Sequence, residues 1–298
     1  MNIEDSLQEF AMPQDLLNSQ DKINQLRDLS QRYLSDADAL KRMFNSIDLT
    51  TLSHLDSAQN VRRFVERVNQ FSVDFPSLPN VGGICVYSVF APILKSTLKV
   101  PSVHRAVVAA CFPSSQAFAD IKAAEVRKSV ESGATEVDVV ISVGEMIEGN
   151  YQFVFEELSK IRQACDGARL KVILESGALK DPRLIWDASI IAMEVGADFI
   201  KTSTGKNCDG ASPEAALVMC SAIAAFAQKR NRKVGFKPAG GVSTPADAAL
   251  YFTIVKQVAG DEWVSTNTLF RIGASRLANS LLSQISAVSG TPDPGKYF

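Results

Sequence analysis

Histidine is almost missing from this chain: His54 and His104 are the only two among 298 residues. A histidine-based metal site or catalytic triad would have to use one of them, and neither sits in a recognisable constellation. His104 follows "PSV" just ahead of an apolar run, as a strand-edge residue does. The five cysteines, Cys85, Cys111, Cys165, Cys208 and Cys220, contain no CxxC pair, and their number is odd. That argues against a disulfide framework or a zinc site and fits a reducing cytoplasm. There is no run of about 18 apolar residues, so no membrane span is expected. The opening segment, "MNIEDSLQEFAMPQ", is acidic and has no apolar signal core, which argues against secretion. Net charge is −2, so the chain as a whole offers nucleic acid no attraction.

What is present is a large apolar fraction, 46%, ample for one sizeable core. Residues 1–44 read as helical: "DLLNSQDKINQLRDLSQRYL" spaces its apolar residues at helical period with charges between. This stretch has no strand pattern and reads as an N-terminal extension packed on a core. After it the chain alternates. Eight short apolar runs end in Gly, Ser, Thr or Pro or close to one: "NSIDLTT", "GGICVYS", "RAVVAACF", "EVDVVIS", "LKVILES", "ADFIKTST", "KVGFKPAGG" and "LFRIGAS". They recur roughly every 30 residues, the length of a βα unit, with helical stretches between. Eight strands, each followed by a helix, over about 250 residues match a (β/α)8 barrel. A doubly wound open sheet is the alternative, but no run opens with the GxGxxG of a dinucleotide fold. The reading is therefore an α/β protein with one barrel domain over 45–282, the helical extension 1–44, and a tail, 283–298, expected to be mobile.

A barrel strand buried on both faces should be nearly all apolar. Asp138 interrupts "EVDVVIS", Lys201 interrupts "ADFIKTST", and Lys237 interrupts "KVGFKPAGG". Successive strand residues face opposite ways. If Val137, Val139, Ile200 and Phe236 face the helices, the three charged residues converge inside the barrel. One Lys–Asp pair would be an ordinary buried ion pair. A second lysine leaves excess positive charge in low dielectric, and desolvation plus a like charge both favour a neutral amine. A neutral lysine can attack a carbonyl. Lys171 lies early in its run, so it is expected to point to the stability end of the barrel or to solvent. Glu175, near that run's far end, is a candidate for support of the site.

A phosphate signal is separate. "PAGGV" puts Gly240 and Gly241 after the seventh run, and "RIGAS" puts Gly273 and Ser275 after the eighth. Barrel enzymes often hold phosphate with these two loops and a helix N-terminus. Lys206 and Arg276 could add charge there.

Taken together, "DLTTL", "EVDVVI", "LKVILESGAL", "DFIKTSTGK", "VGFKPAGGV" and "FRIGAS" resemble the signature segments of the deoxyribose-phosphate aldolase family, class I Schiff-base aldolases of the barrel type. The resemblance runs in order from about residue 45 to 282. It implies reversible aldol cleavage of 2-deoxy-D-ribose 5-phosphate to D-glyceraldehyde 3-phosphate and acetaldehyde, in deoxyribonucleoside catabolism, without cofactor or metal. On the matching motifs, Lys201 forms the imine, Lys237 keeps it poised, and Asp138 shuttles protons. Lys206, Gly240, Gly241, Gly273 and Ser275 match the phosphate site; Asp48, Thr50, Cys85 and Thr204 match positions lining the substrate end. For Cys85 the plainer reading is a small buried hydrophobe. Arg276 stands where some members carry a small residue, and Ser88 where proline is common. Some members end in a tyrosine that reaches the active site, which raises the same question for Tyr297. The expected assembly is a homodimer in the cytoplasm, without nucleic-acid or membrane partners. Other readings are a Schiff-base aldolase for another phosphorylated sugar, or a non-catalytic barrel that binds sugar phosphates.

Overall fold

Each of the eight apolar runs forms a parallel strand in the computed structural model, which describes residues 2–298. The strands are β1 (Ile47–Thr50), β2 (Gly83–Tyr87), β3 (His104–Val108), β4 (Glu136–Val140), β5 (Arg169–Ile173), β6 (Phe199–Lys201), β7 (Gly235–Lys237) and β8 (Ile272–Ala274). From β1 to β7 each strand pairs with its sequence neighbours, and β8 pairs with β1. Isolated bridges Phe236↔Phe270 and Ala239↔Gly273 join β7 to the β8 segment and close the barrel. Parallel order with a helix after each strand is the (β/α)8 architecture expected from the runs.

Three helices precede β1: α1 (Ile3–Glu9), α2 (Gln20–Ser30) and α3 (Ala37–Asn45). Those between the strands are α4 (Ala58–Asp74), α5 (Ala91–Thr97), α6 (Ala119–Glu131), α7 (Val143–Ile147), α8 (Tyr151–Ala164), α9 (Ser176–Leu179), α10 (Pro182–Glu194), α11 (Pro213–Arg230) and α12 (Pro245–Val258), and α13 (Leu277–Ser289) follows β8. Local chemistry sets many of their starts. Ser57 and Asn60 close a capping box on α4, as Thr244 and Asp247 do on α12. Asp181 and Ser212 cap α10 and α11, each just ahead of a proline. Such side chains satisfy first-turn amides that have no partner within the helix.

Alternation along the strands divides the buried residues in two. Val137, Val139, Ile200 and Phe236 belong to the outer core, packed with helix residues such as Val126, Leu158 and Ile191. Inside the barrel, Leu52, Cys85, Ala106 and Val108 form a small separate apolar cluster. The rest of the interior, mainly from β4 through β8 with Asp48 of β1, carries charge.

The extension before β1 is folded onto the barrel's outer layer. Phe10 stacks on Phe226 at 5.6 Å between ring centres, and Trp186 donates its indole N–H to the Phe10 carbonyl at 2.5 Å. The chain's last residues lie between α4 and α13. Tyr297 donates its hydroxyl to Asp74 at 2.7 Å, and Asn279 accepts the backbone N–H groups of Tyr297 and Phe298. Phe298 packs on Phe44 and Phe71. Tyr297 thus lies on the outer face of the barrel, away from the residues described next.

Candidate active site

Parity and register bring the three expected charged residues together. Lys201 and Lys237 are directly paired across β6 and β7, and Asp138 lies on β4 two strands from Lys201. Lys201 Nζ lies 2.9 Å from Asp138 Oδ2, and Lys237 Nζ lies 2.7 Å from the same oxygen. All three are buried; the Lys201 side chain keeps 5% exposure and the other two none.

The cluster is larger than the sequence reading. Lys171, expected to point to the stability end or to solvent, is fully buried at its centre. Its ammonium lies 2.8 Å from Asp48, 2.5 Å from Glu136 and 3.3 Å from Asp138. Arg271 lies 2.5 Å from Asp48 and 3.1 Å from Glu136. Four cations therefore face three carboxylates, all but one with no exposure. Glu136 and Arg271 are members that no motif in the sequence marks, although both obey the same alternation: each flanks outward apolar residues within its run. Lys171 faces inward by the same alternation, between outward Leu170 and Val172, and the β4–β5 register sets it level with Asp138.

Burial would push every group here toward neutrality, so local pairing decides each one's state. Burial depresses the Lys201 pKa, and the Lys237 ammonium adds to this against the pull of Asp138. Lys237 shifts the other way: burial lowers it, but Asp138 and Asp48 together outweigh that. Lys171, held by three carboxylates, is raised for the same reason. Asp138 is held well below the usual carboxylate range, since Lys171, Lys201 and Lys237 overcome its burial. Lys201 is thus the amine of the group most easily deprotonated.

Above this layer lies a cavity of about 610 Å³ at the C-terminal ends of the strands. Lys201 forms part of its floor; Thr50, Thr204, Lys206, Gly240, Gly241, Gly273 and Ser275 also line it. Asp48 and Cys85 do not line it, against their expected place at the substrate end. Asp48 sits one level below Thr50, bound by Lys171, Lys237 and Arg271. Cys85 is packed in the interior apolar cluster, where burial pushes its thiol up to about 11. Asp138 and Lys237 do not line it either; Asp138 touches Lys201, and Lys237 touches Asp138. His54 is exposed on the cavity wall, and His104 lies below, 3.5 Å from Glu136.

Support for the upper rim comes from Glu175. Its backbone is left-handed, at φ +54°, and its carboxylate accepts the Thr204 N–H at 3.0 Å and the Thr204 hydroxyl at 2.6 Å. Thr204 Oγ1 in turn accepts the Lys206 N–H at 3.1 Å, and Lys206 Nζ donates to the Leu52 carbonyl at 2.6 Å, tying the loops after β6 and β1. Gly240 and Gly241 take φ near +83° and +82°, which a side chain would strain. Among the described residues no Asp or Glu lines the cavity, while Lys201, Lys206 and Arg276 do. The arrangement offers a poised amine at the floor and an acid-free, cationic mouth. An electrophilic carbonyl below and an anion above would fit it.

The family model for DeoC/LacD family aldolases matches residues 42–282. Deoxyribose-phosphate aldolase of Mus musculus is 39% identical over 250 residues, covering 80% of this chain and 78% of that protein. The Homo sapiens enzyme of the same name is 39% identical over 249 residues, again with 80% and 78% coverage. Among solved structures, the tetrameric deoxyribose phosphate aldolase of Aeropyrum pernix matches with a TM-score of 0.65 and 26% identity, covering 88% of this chain and 98% of that one.

Proposed function

The chain belongs to the DeoC/LacD aldolase family, and from that membership we propose that this lyase cleaves 2-deoxy-D-ribose 5-phosphate reversibly to D-glyceraldehyde 3-phosphate and acetaldehyde. The observation that carries the reading is that Lys201 alone, of the buried ammonium groups, opens on the cavity while its pKa is depressed. In its neutral form the amine attacks the C1 aldehyde of the open-chain sugar, and loss of water gives an imine. Protonated, the imine is an electron sink. The C3 hydroxyl loses its proton and the C2–C3 bond breaks: C3 leaves as the aldehyde carbon of glyceraldehyde 3-phosphate, and the bond's electron pair flows into the imine to leave a neutral enamine. 

Protonation of the enamine at C2 and hydrolysis release acetaldehyde and the free lysine. Asp138, within hydrogen-bond reach of both Lys201 and Lys237, is the group that relays protons beneath the imine, and Lys237 keeps Lys201 neutral by its charge.

The acid-free mouth supports a phosphate at the other end of the substrate, held by the backbone around Gly240, Gly241, Gly273 and Ser275, with Lys206 at the rim. In the same reading the enzyme serves deoxyribonucleoside breakdown in the cytoplasm and works as a homodimer, consistent with free cysteines and with exposed Val89 and Phe118. The test is a product assay. Incubation with 2-deoxyribose 5-phosphate should release acetaldehyde and glyceraldehyde 3-phosphate in equal amounts. Cleavage of a different phosphorylated sugar, with none of this one, would reject the substrate.

A further inference from the structure

A second cavity, of about 260 Å³, is lined by α9, α10 and the start of α11, and it shares no lining residue with the first. Its inner wall is apolar: Ile185 of α10 with Ala215 and Val218 of α11, all buried. One hydroxyl is set into that wall, Ser176 Oγ at the start of α9. Ser176 is 3% exposed, and its Oγ has no hydrogen-bond partner among the described residues. Ser212, which also lines the cavity, is engaged: its Oγ accepts the Ala215 N–H and caps α11. The charged lining residues, Lys180, Asp209 and Glu214, are exposed and stand at the mouth. A buried polar atom without a partner is costly, so it marks a place that a ligand or solvent completes. Water needs two to four polar partners, roughly, to be held in a cavity. An apolar wall with a single hydroxyl supplies too few, so its solvent is readily displaced.

We propose that this cavity is a second binding site, for a neutral ring-sized molecule with an amide edge, and that its occupancy is felt at the rim of the active site. Its volume lies just below the range of about 300–1,000 Å³ that drug-sized ligands need, which suits a single ring. One cation against two carboxylates leaves the mouth net negative, so phosphates and carboxylates are disfavoured, the reverse of the acid-free first cavity. An amide offers both a donor and an acceptor, and a serine hydroxyl can pair with either. Two chain segments link the cavities. Ser176 directly follows Glu175, whose carboxylate holds Thr204. Asp209 and Gly210 continue the loop from Lys206, and Gly210 packs so closely on Gly240 that a Cβ would overlap its carbonyl. The Ala211 N–H donates to the carbonyls of Ala239 and Gly240, at 3.0 Å each. The binding site stands on its own geometry; only its kinetic effect rests on the aldolase reading.

The probes are benzamide and benzoate, which share a ring and differ in charge, titrated by NMR into the wild type, Ser176→Ala and Val218→Phe. The wild type should bind benzamide with a Kd of about 1 mM and benzoate at least about tenfold more weakly. Ser176→Ala removes only the hydroxyl and should weaken benzamide by about three- to tenfold. Val218→Phe fills the cavity and should abolish binding. Both variants should keep the wild-type kcat on 2-deoxyribose 5-phosphate. Saturating benzamide should shift the wild-type KM for that sugar by at least about twofold, and leave Val218→Phe unaffected. No benzamide binding to the wild type, equal binding of benzoate, or unchanged binding in both variants would overturn the site. Binding with an unchanged KM would overturn its link to the rim. If the wild type cleaves no sugar, the aldolase reading fails, and the titrations still decide the site.

Discussion

Lys201 and Lys237 share one oxygen of Asp138, yet their ammonium groups are driven in opposite directions. The difference lies in the second carboxylate: Lys237 also touches Asp48, and Lys201 does not. Replacing Lys237 with leucine removes the like charge from Lys201 and leaves it the Asp138 oxygen that the two lysines share. Both changes raise the Lys201 pKa, so less of it is neutral at a given pH. The rise of kcat/KM with pH should move to higher pH, with a loss near neutrality on the order of a hundredfold. A pH–rate series on folded protein measures this; an unmoved profile would separate Lys237 from the poise of Lys201. Gly273 makes a steric prediction. A Cβ there would stand 2.8 Å from the Ala239 Cβ and 3.2 Å from the Lys237 Cε. Gly273→Ala should lower stability by about 1–3 kcal/mol and lower kcat by displacing Lys237, as chemical denaturation and steady-state kinetics would report.

Strands and helices were legible because a buried parallel strand demands a short apolar run and a helix demands a different period. Parity within the runs was enough to place Asp138, Lys201 and Lys237 inside. The lower part of the charged layer was harder to read. Lys171 sits early in β5, and position along one strand says nothing of how far the neighbouring strand is staggered. Its pairing with Asp138 is a matter of register, which a single run does not encode. Asp48 was expected to line the substrate end because its motif matches the family's, yet it is held one level lower by Lys171, Lys237 and Arg271. The tail is similar: its Pro and Gly content suggested mobility, while the aromatic partners of Tyr297 and Phe298 are scattered over α3 and α4. Removing residues 290–298 should cost about 2–4 kcal/mol through lost aromatic burial while leaving kcat unchanged. A fall in kcat without loss of stability would instead give Tyr297 a part in the reaction.

Taken whole, the barrel interior is divided. Leu52, Cys85, Ala106 and Val108 fill one side as an ordinary apolar core, and four cations with three carboxylates fill the other. Such a cluster ties stability to pH. Asp48, Glu136 and Asp138 are all held below their ordinary values of 3.8, 4.5 and 3.8. At pH 3 the unfolded chain therefore binds protons that the folded one refuses. The stabilisation is fully present above about pH 5 and is lost as pH falls through those ordinary values toward the depressed ones. Denaturant titrations at pH 7, 5 and 3.5 should show little change between the first two and a marked drop at the third.

The central claim is that the Lys201 amine is the nucleophile. Incubation with acetaldehyde, reduction with borohydride and peptide mapping by mass spectrometry test it directly. One reduced two-carbon adduct is expected, on Lys201, with none formed by a Lys201→Leu variant, whose turnover should fall at least about a thousandfold. An adduct on Lys237 instead, or an active enzyme that traps nothing, would contradict it.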